Sequence, residues 1–176
     1  MSATRVYTCF DATGSKNPAA TDLKYYFLLR AWSHRAPLVG TFVDVHGGSG
    51  QRKPSDLRGE LIDRLRRSDL LLLILSERTA ASPGLVSWEI ECAASQCLPI
   101  VCAYTRRGEC GAEAVNFKWW PDALRRSVTG GRADAIHIPF HPRALARAFR
   151  RNRDEARPLE PSEAPPRTDE HVAPPR

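Results

Sequence analysis

The stretch Leu70-Leu71-Leu72-Leu73-Ile74-Leu75 decides the fold. It is apolar without a break, too short for an ordinary helix, and bounded by the polar residues Asp69 and Ser76. A strand reads this way when both of its faces are covered, as at the centre of a parallel sheet flanked by helices. Pro99 to Tyr104 has the same all-apolar character. Val6 to Phe10 and Gly40 to Val45 read as the first and second strands, and Ala135 to Ile138 as a short last one.

Amphipathic stretches lie between these runs. Asp22 to Ser33 is a helix with Thr21 placed to cap it. In the next helix Ser55 is the cap, and Leu57, Leu61 and Leu65 recur every four residues. A third helix is expected from Leu85 to Gln96, and Ala112 to Ser127 is helical with a break at Pro121. Pro142 opens the last helix, which runs through Phe149. Strand and helix thus alternate five times without an internal repeat. That alternation specifies a doubly wound parallel sheet, in which ligands bind beyond the carboxyl ends of the strands.

Arg157 to Arg176 contains six prolines, with Leu159 and Val172 as its sizeable aliphatics. Such a segment buries too little surface to offset its ordering entropy and is expected to be disordered. The expected division is a folded domain over residues 1–153 and an acidic, proline-rich tail over 154–176. The tail carries a formal −3 and the rest of the 176-residue chain +9. A basic domain suits an anionic ligand such as a dinucleotide, or equally a solvated arginine-rich surface. No apolar run approaches the roughly 18 residues of a membrane span, and the N-terminus has no apolar signal core, so the expected address is cytoplasmic. The five cysteines form no CxxC pair, which argues for thiols in a reducing compartment.

Three textual candidates fail. Gly14-Ser15-Lys16 lacks the preceding glycine of a phosphate-binding loop, and His137 with His141 lacks further metal ligands. Asp11 ends the first strand as in a phosphoryl-accepting receiver, but the third strand ends in Ser76-Glu77 and the last offers no lysine. The third helix is more informative. Val86, Ile90, Ala93 and Cys97 gather on one side, Glu89 lies on the flank of that stripe, and Glu91 lies about 130° from it. Glu89 is therefore a carboxylate at the boundary between core and cleft, suited either to stabilising a developing positive charge or to a surface ion pair. Glu91 faces solvent.

Val6-Tyr7-Thr8-Cys9-Phe10, Phe42-Val43-Asp44-Val45, Leu61 to Asp69, Leu72 to Thr79 and Val86-Ser87-Trp88-Glu89-Ile90 occur in an order that resembles TIR-like domains. The resemblance, over roughly Arg5 to Tyr104, is to the bacterial branch found in Thoeris antiphage systems. It implies a flavodoxin-like three-layer α/β fold with a five-stranded parallel sheet. It also implies cleavage of the nicotinamide–ribose bond of NAD+ as substrate, with no separate cofactor, and in some members cyclisation of the ADP-ribose product. The family's catalytic glutamate falls on Glu89. Many members carry a tryptophan four residues earlier, where this chain has Leu85; Trp88, directly before the glutamate, matches the aromatic of the TIR-like branch.

The resemblance further implies Phe10, Asp11, Asp44, Trp88 and Arg52 as substrate-binding candidates, a homo-oligomer on activation, and a separate effector that reads the product. Phe10 is equally placed to be core and Asp11 to cap a turn. The loop from His46 to Pro54 is equally a flexible connection. Trp119-Trp120 suits core packing or a protomer contact. Two other readings remain open beside the enzyme: a TIR-fold adaptor acting through protein contacts, and a nucleotide- or nucleic-acid-binding domain driven by the basic core.

Overall fold

The computed structural model describes residues 4–11, 21–35, 40–43, 54–81, 84–105 and 116–155. The tail from Ala156 onward, Asp44, Arg52, Gly14 to Lys16 and the loop from His46 to Lys53 lie outside the described residues. Five strands, β1 (Thr4–Cys9), β2 (Gly40–Val43), β3 (Leu70–Leu75), β4 (Ile100–Tyr104) and β5 (Ala135–Pro139), alternate with five helices. The helices are α1 (Leu23–Arg35), α2 (Pro54–Arg66), α3 (Leu85–Ser95), α4 (Asp122–Thr129) and α5 (Pro142–Glu155). All strand pairs are parallel, in the order β2-β1-β3-β4-β5. This is the doubly wound order of flavodoxin-like sheets, whose direction of winding reverses between β1 and β3.

The central strand β3 is fully buried at all six positions. Its alternate residues feed two separate cores. Leu71, Leu73 and Leu75 pack with Leu61 and Leu65 of α2, Val86, Ile90 and Ala93 of α3, and Ala123 and Leu124 of α4. Leu70 and Leu72 pack with Leu29 of α1 and with Leu145, Ala148 and Phe149 of α5. The same alternation splits β1, sending Tyr7 and Cys9 to the first core and Val6 to the second. Truncating a leucine of β3 to alanine is expected to cost about 2–5 kcal/mol, from lost transfer energy and the cavity left behind.

Three elements differ from the sequence expectation, each for a local reason. Pro54 opens α2, so Ser55 lies within the helix rather than before it. In the described part of the fourth helical region, Phe117–Trp119 forms a single 3-10 turn and Pro121 is the residue before α4. The proline ring disfavours helical backbone in Trp120, which separates the two pieces. Helix α5 continues to Glu155, six residues past Phe149. Its buried stripe Leu145, Ala148, Phe149 and Asn152 keeps helical spacing, and Asn152 donates to the Asp69 carbonyl at 3.3 Å.

Helix α3 ends in a Schellman arrangement. The Leu98 amide donates to the Ala93 carbonyl at 3.0 Å and the Cys97 amide to the Ala94 carbonyl at 3.1 Å. Cys97 consequently takes φ 53°, leaves the apolar stripe expected for it and is exposed. Among the described residues no helix is long and apolar enough to cross a membrane.

Candidate active site

Helix α3 begins after Gly84, whose φ of 91° suits a residue without a Cβ. It then packs on the face of the sheet that carries Tyr7, Cys9, Leu71 and Leu73. One turn in, Glu89 points at the strand rather than at solvent and is only 3 % exposed. The Tyr7 hydroxyl donates to its Oε1 at 2.7 Å and the Cys9 thiol to its Oε2 at 2.9 Å. Both donors sit on β1 two residues apart, so the pleat presents them on one face at one spacing.

Burial pushes the Glu89 carboxyl above its ordinary range, and the bonds from Cys9 and Tyr7 pull it back toward ionisation. Burial, then the charge of Glu89, raises both the Tyr7 phenol and the Cys9 thiol. The pair therefore remains a pair of donors at neutral pH. Glu89 is thus more buried than a boundary residue, and Glu91 is the ion-paired one, accepting from Arg126 Nη2 at 2.9 Å on the surface. Trp88 is half-buried against the same core, with the Arg58 guanidinium of α2 5.6 Å from its ring centre.

The other candidates fall elsewhere. Phe10 faces the α1 side, stacked on Tyr26 with ring centres 5.3 Å apart and packed against Ile74. It joins a small core cluster on the face opposite Tyr7 and Cys9. Asp11 is buried at the end of β1; its carboxylate lies 3.8 Å from Arg78 Nε, and its carbonyl accepts from the Asp22 amide at 3.2 Å. Trp119 and Trp120 are both core residues. Trp120 donates to the Tyr104 hydroxyl at 2.7 Å and stacks on His137, which itself lies 3.1 Å from that hydroxyl. His137 is thus engaged by aromatics rather than by His141, whose Nδ1 accepts from the Arg143 amide as α5 begins.

A third buried carboxylate stands at the carboxyl end of the sheet. Asp22, at the start of α1, accepts from the Ser76 hydroxyl at 2.7 Å and the Thr79 hydroxyl at 3.4 Å. The Thr79 hydroxyl in turn accepts from the Ser76 amide and shares its one proton between Asp22 and the Ile74 carbonyl. Burial raises the Asp22 carboxyl, and Ser76 opposes that shift. Asp22, Ser76, Arg78, Tyr25 and Trp119 help line an open cleft of about 460 Å³. The sequence pattern did not single out Tyr7, Cys9, Asp22 or Thr79. The legible signal was the strand alternation, which set Tyr7 and Cys9 on the face that covers α3.

A doubly wound α/β domain with a buried, doubly hydrogen-bonded carboxylate beneath its first strand is the class that fold and site define. The profile of the family described as "Thoeris protein ThsB, TIR-like domain" matches residues 7–109, and the chain belongs to that family. Among solved structures it is similar to a conserved protein from Enterococcus faecalis V583, at 14 % identity and TM-score 0.54, over 85 % of this chain and 99 % of that one. It is also similar to the CMP N-glycosidase BcmB of Clostridium botulinum, at 12 % identity and TM-score 0.50, over 84 % of this chain and 98 % of that one. At these identities the likeness is one of fold. No curated protein matches.

Proposed function

We propose that this chain cleaves the nicotinamide–ribose bond of NAD+, with Glu89 as the carboxylate that stabilises the reacting ribose. The observation that carries this reading is the placement of Glu89: a buried acid on α3, held through both oxygens beneath the carboxyl half of β1. Membership of the Thoeris TIR-like family supports it. A protein of similar fold is named as a CMP N-glycosidase, which is in keeping with this reading.

The C1′–N bond breaks with its electron pair going to the nicotinamide ring nitrogen, which turns a pyridinium into a neutral leaving group. No strong general acid is needed. Positive charge develops on the ribose, and a fixed anion in a dry site stabilises it far better than one in water. Water, or a nucleophile within the same molecule, then captures C1′ to give linear or cyclic ADP-ribose, the signal for a separate effector in antiphage defence. A carboxylate offers about four lone-pair sites, and Tyr7 and Cys9 occupy two of them. The remainder suit the ribose hydroxyls.

In this scheme Trp88 flanks the carboxylate, Asp11 stands at the rim of the site, and Asp44 and Arg52 contact the dinucleotide. Phe10 contributes through the packing of β1 rather than beside Glu89. Because Glu89 is 3 % exposed, substrate binding has to uncover it. Activation through a homo-oligomer provides such a step.

That same burial favours a second reading, a non-catalytic assembly domain in which Glu89 is structural. Phe27 and Leu28, adjacent and exposed on α1, would suit a contact surface. Product analysis after incubation with NAD+ separates the two. Nicotinamide release by the wild type, lost in Glu89→Gln and kept in Glu91→Gln, supports the enzyme. Release that survives Glu89→Gln, or silence even in extract of phage-infected cells, supports the assembly domain.

A further inference from the structure

Carboxylates buried to this degree normally gain a cationic partner or become neutral. Among the described residues Glu89 has no salt bridge; its close polar partners are two neutral donors from one strand, the Tyr7 hydroxyl at 2.7 Å and the Cys9 thiol at 2.9 Å. Neither is needed for packing alone. Both pack in the core, but phenylalanine would fill the volume of Tyr7 and a small apolar residue that of Cys9 without a polar atom at the carboxylate. A cation in their place would stabilise the anion but would also cancel the charge that a cationic ribose requires. Two neutral donors hold the anion and leave its charge uncompensated.

We propose that Tyr7 and Cys9 are positioning residues that keep Glu89 as an aimed, uncompensated anion for the bond-breaking step. This rests on the reading of Glu89 as the catalytic carboxylate. The donors act through Glu89 and need not touch the substrate. The geometry makes their contributions separable, because each binds a different carboxylate oxygen. Tyr7 fixes Oε1 and Cys9 fixes Oε2, so loss of one leaves the group hinged on the other.

The other titratable and charged groups around this pocket are few among the described residues. Cys92 lies one turn further along α3 and Cys102 lies on β4, while Arg58 and Arg64 approach from α2. Burial keeps Cys102 protonated and raises Cys92 as well. The two thiols on β1 and β4 therefore bring no competing charge at neutral pH. Arg58 and Arg64 belong to α2 and leave the short contacts to β1.

The test uses Tyr7→Phe, Cys9→Ala and Cys9→Ser beside wild type and Glu89→Gln. Nicotinamide release is followed against pH, and the Glu89 carboxyl is titrated by carbon-13 NMR, its signal identified by its loss in Glu89→Gln. Tyr7→Phe is expected to lower kcat about 10- to 100-fold with little change in KM, the range for a lost hydrogen bond to a charged group. It is also expected to move both the acid limb of the profile and the carboxyl midpoint to higher pH. Cys9→Ala follows in the same direction, and Cys9→Ser, which restores a donor, returns toward wild type.

An unmoved midpoint in both Tyr7→Phe and Cys9→Ala overturns the proposal whatever the turnover. Unchanged kcat in both, with Glu89→Gln inactive, overturns it as well. A shifted midpoint in a wild type that does not consume NAD+, or with Glu89→Gln fully active, retains the two donors as holders of the anion. It overturns the assigned reaction instead.

Discussion

Of the three buried carboxylates near the carboxyl end of the sheet, Asp11, Asp22 and Glu89, the last two are held by different kinds of partner. Asp22 accepts from Ser76 and Thr79, which are three residues apart in the turn that follows β3. Its bonds join the start of α1 to that turn, across the point where the sheet reverses its winding, and the Asp22 amide is itself tied to the Asp11 carbonyl. Glu89 accepts instead from two positions on a single strand, and its bonds join no loops. Burial raises both acids. Burial with a shifted carboxyl therefore does not by itself mark a catalytic group. On the proposed reading the distinction lies in what the partners do: those of Asp22 tie the start of α1 to the turn after β3, and those of Glu89 hold a charge.

The sharpest way to break this contrast in stability is Asp22→Ala. It leaves the Ser76 hydroxyl without its acceptor in a buried turn, so a loss of about 1–3 kcal/mol is expected in urea unfolding. The double variant Tyr7→Phe/Glu89→Leu removes the other carboxylate together with one donor. It is expected to be inactive yet at least as stable as wild type, because well-packed apolar groups commonly match or exceed buried charged ones. A loss there as large as that of Asp22→Ala would show Glu89 to be structural.

The pH dependence of stability sharpens the comparison further. The ordinary values are 3.8 for Asp22 and 4.5 for Glu89, and the folded values lie higher. The folded state then binds more protons than the unfolded one between those limits. Each group's contribution is fully present below the ordinary value and is lost as pH rises through the raised one. Glu89→Gln should therefore gain on wild type as pH increases from about 4.5, when unfolding is followed in urea at stepped pH. A difference that stays flat with pH would mean that Glu89 is not shifted.

Smaller effects belong to the surface. Glu91→Gln removes an exposed pair with Arg126 and should change stability by no more than about 1 kcal/mol, with activity intact. Cys97→Gly relieves a left-handed backbone at the end of α3 and should raise thermal stability, by roughly 1 kcal/mol. Both are read from denaturation midpoints.

Much of this architecture is legible from periodicity. The unbroken run from Leu70 to Leu75 specified a strand covered on both faces, and strand–helix alternation specified the parallel sheet. Helical spacing placed Glu91 outward and Glu89 on the inner flank of α3. The depth of Glu89 was not legible, because an angle on a helix does not reveal how far the strand above reaches down to meet it. Tyr7 and Cys9 read as ordinary inward residues of a first strand, some 80 positions away in sequence. Phe10 shows the opposite limit: adjacent to Cys9 in sequence, it falls on the other face because a strand turns its side chains over at each residue. Asp22 read as a helix residue, since its hydroxyl partners are 54 and 57 positions distant.

The most direct measurement compares the two acids in one assay, nicotinamide release from NAD+ by Glu89→Gln and by Asp22→Asn, each checked for native folding. Glu89→Gln is expected to lose about 100-fold or more, as when a preorganised electrostatic group is removed from an active site. Asp22→Asn, which keeps an acceptor for Ser76, should stay within about tenfold of wild type on the same scale. Loss in Asp22→Asn with retention in Glu89→Gln would contradict the account and move the catalytic carboxylate to the cleft.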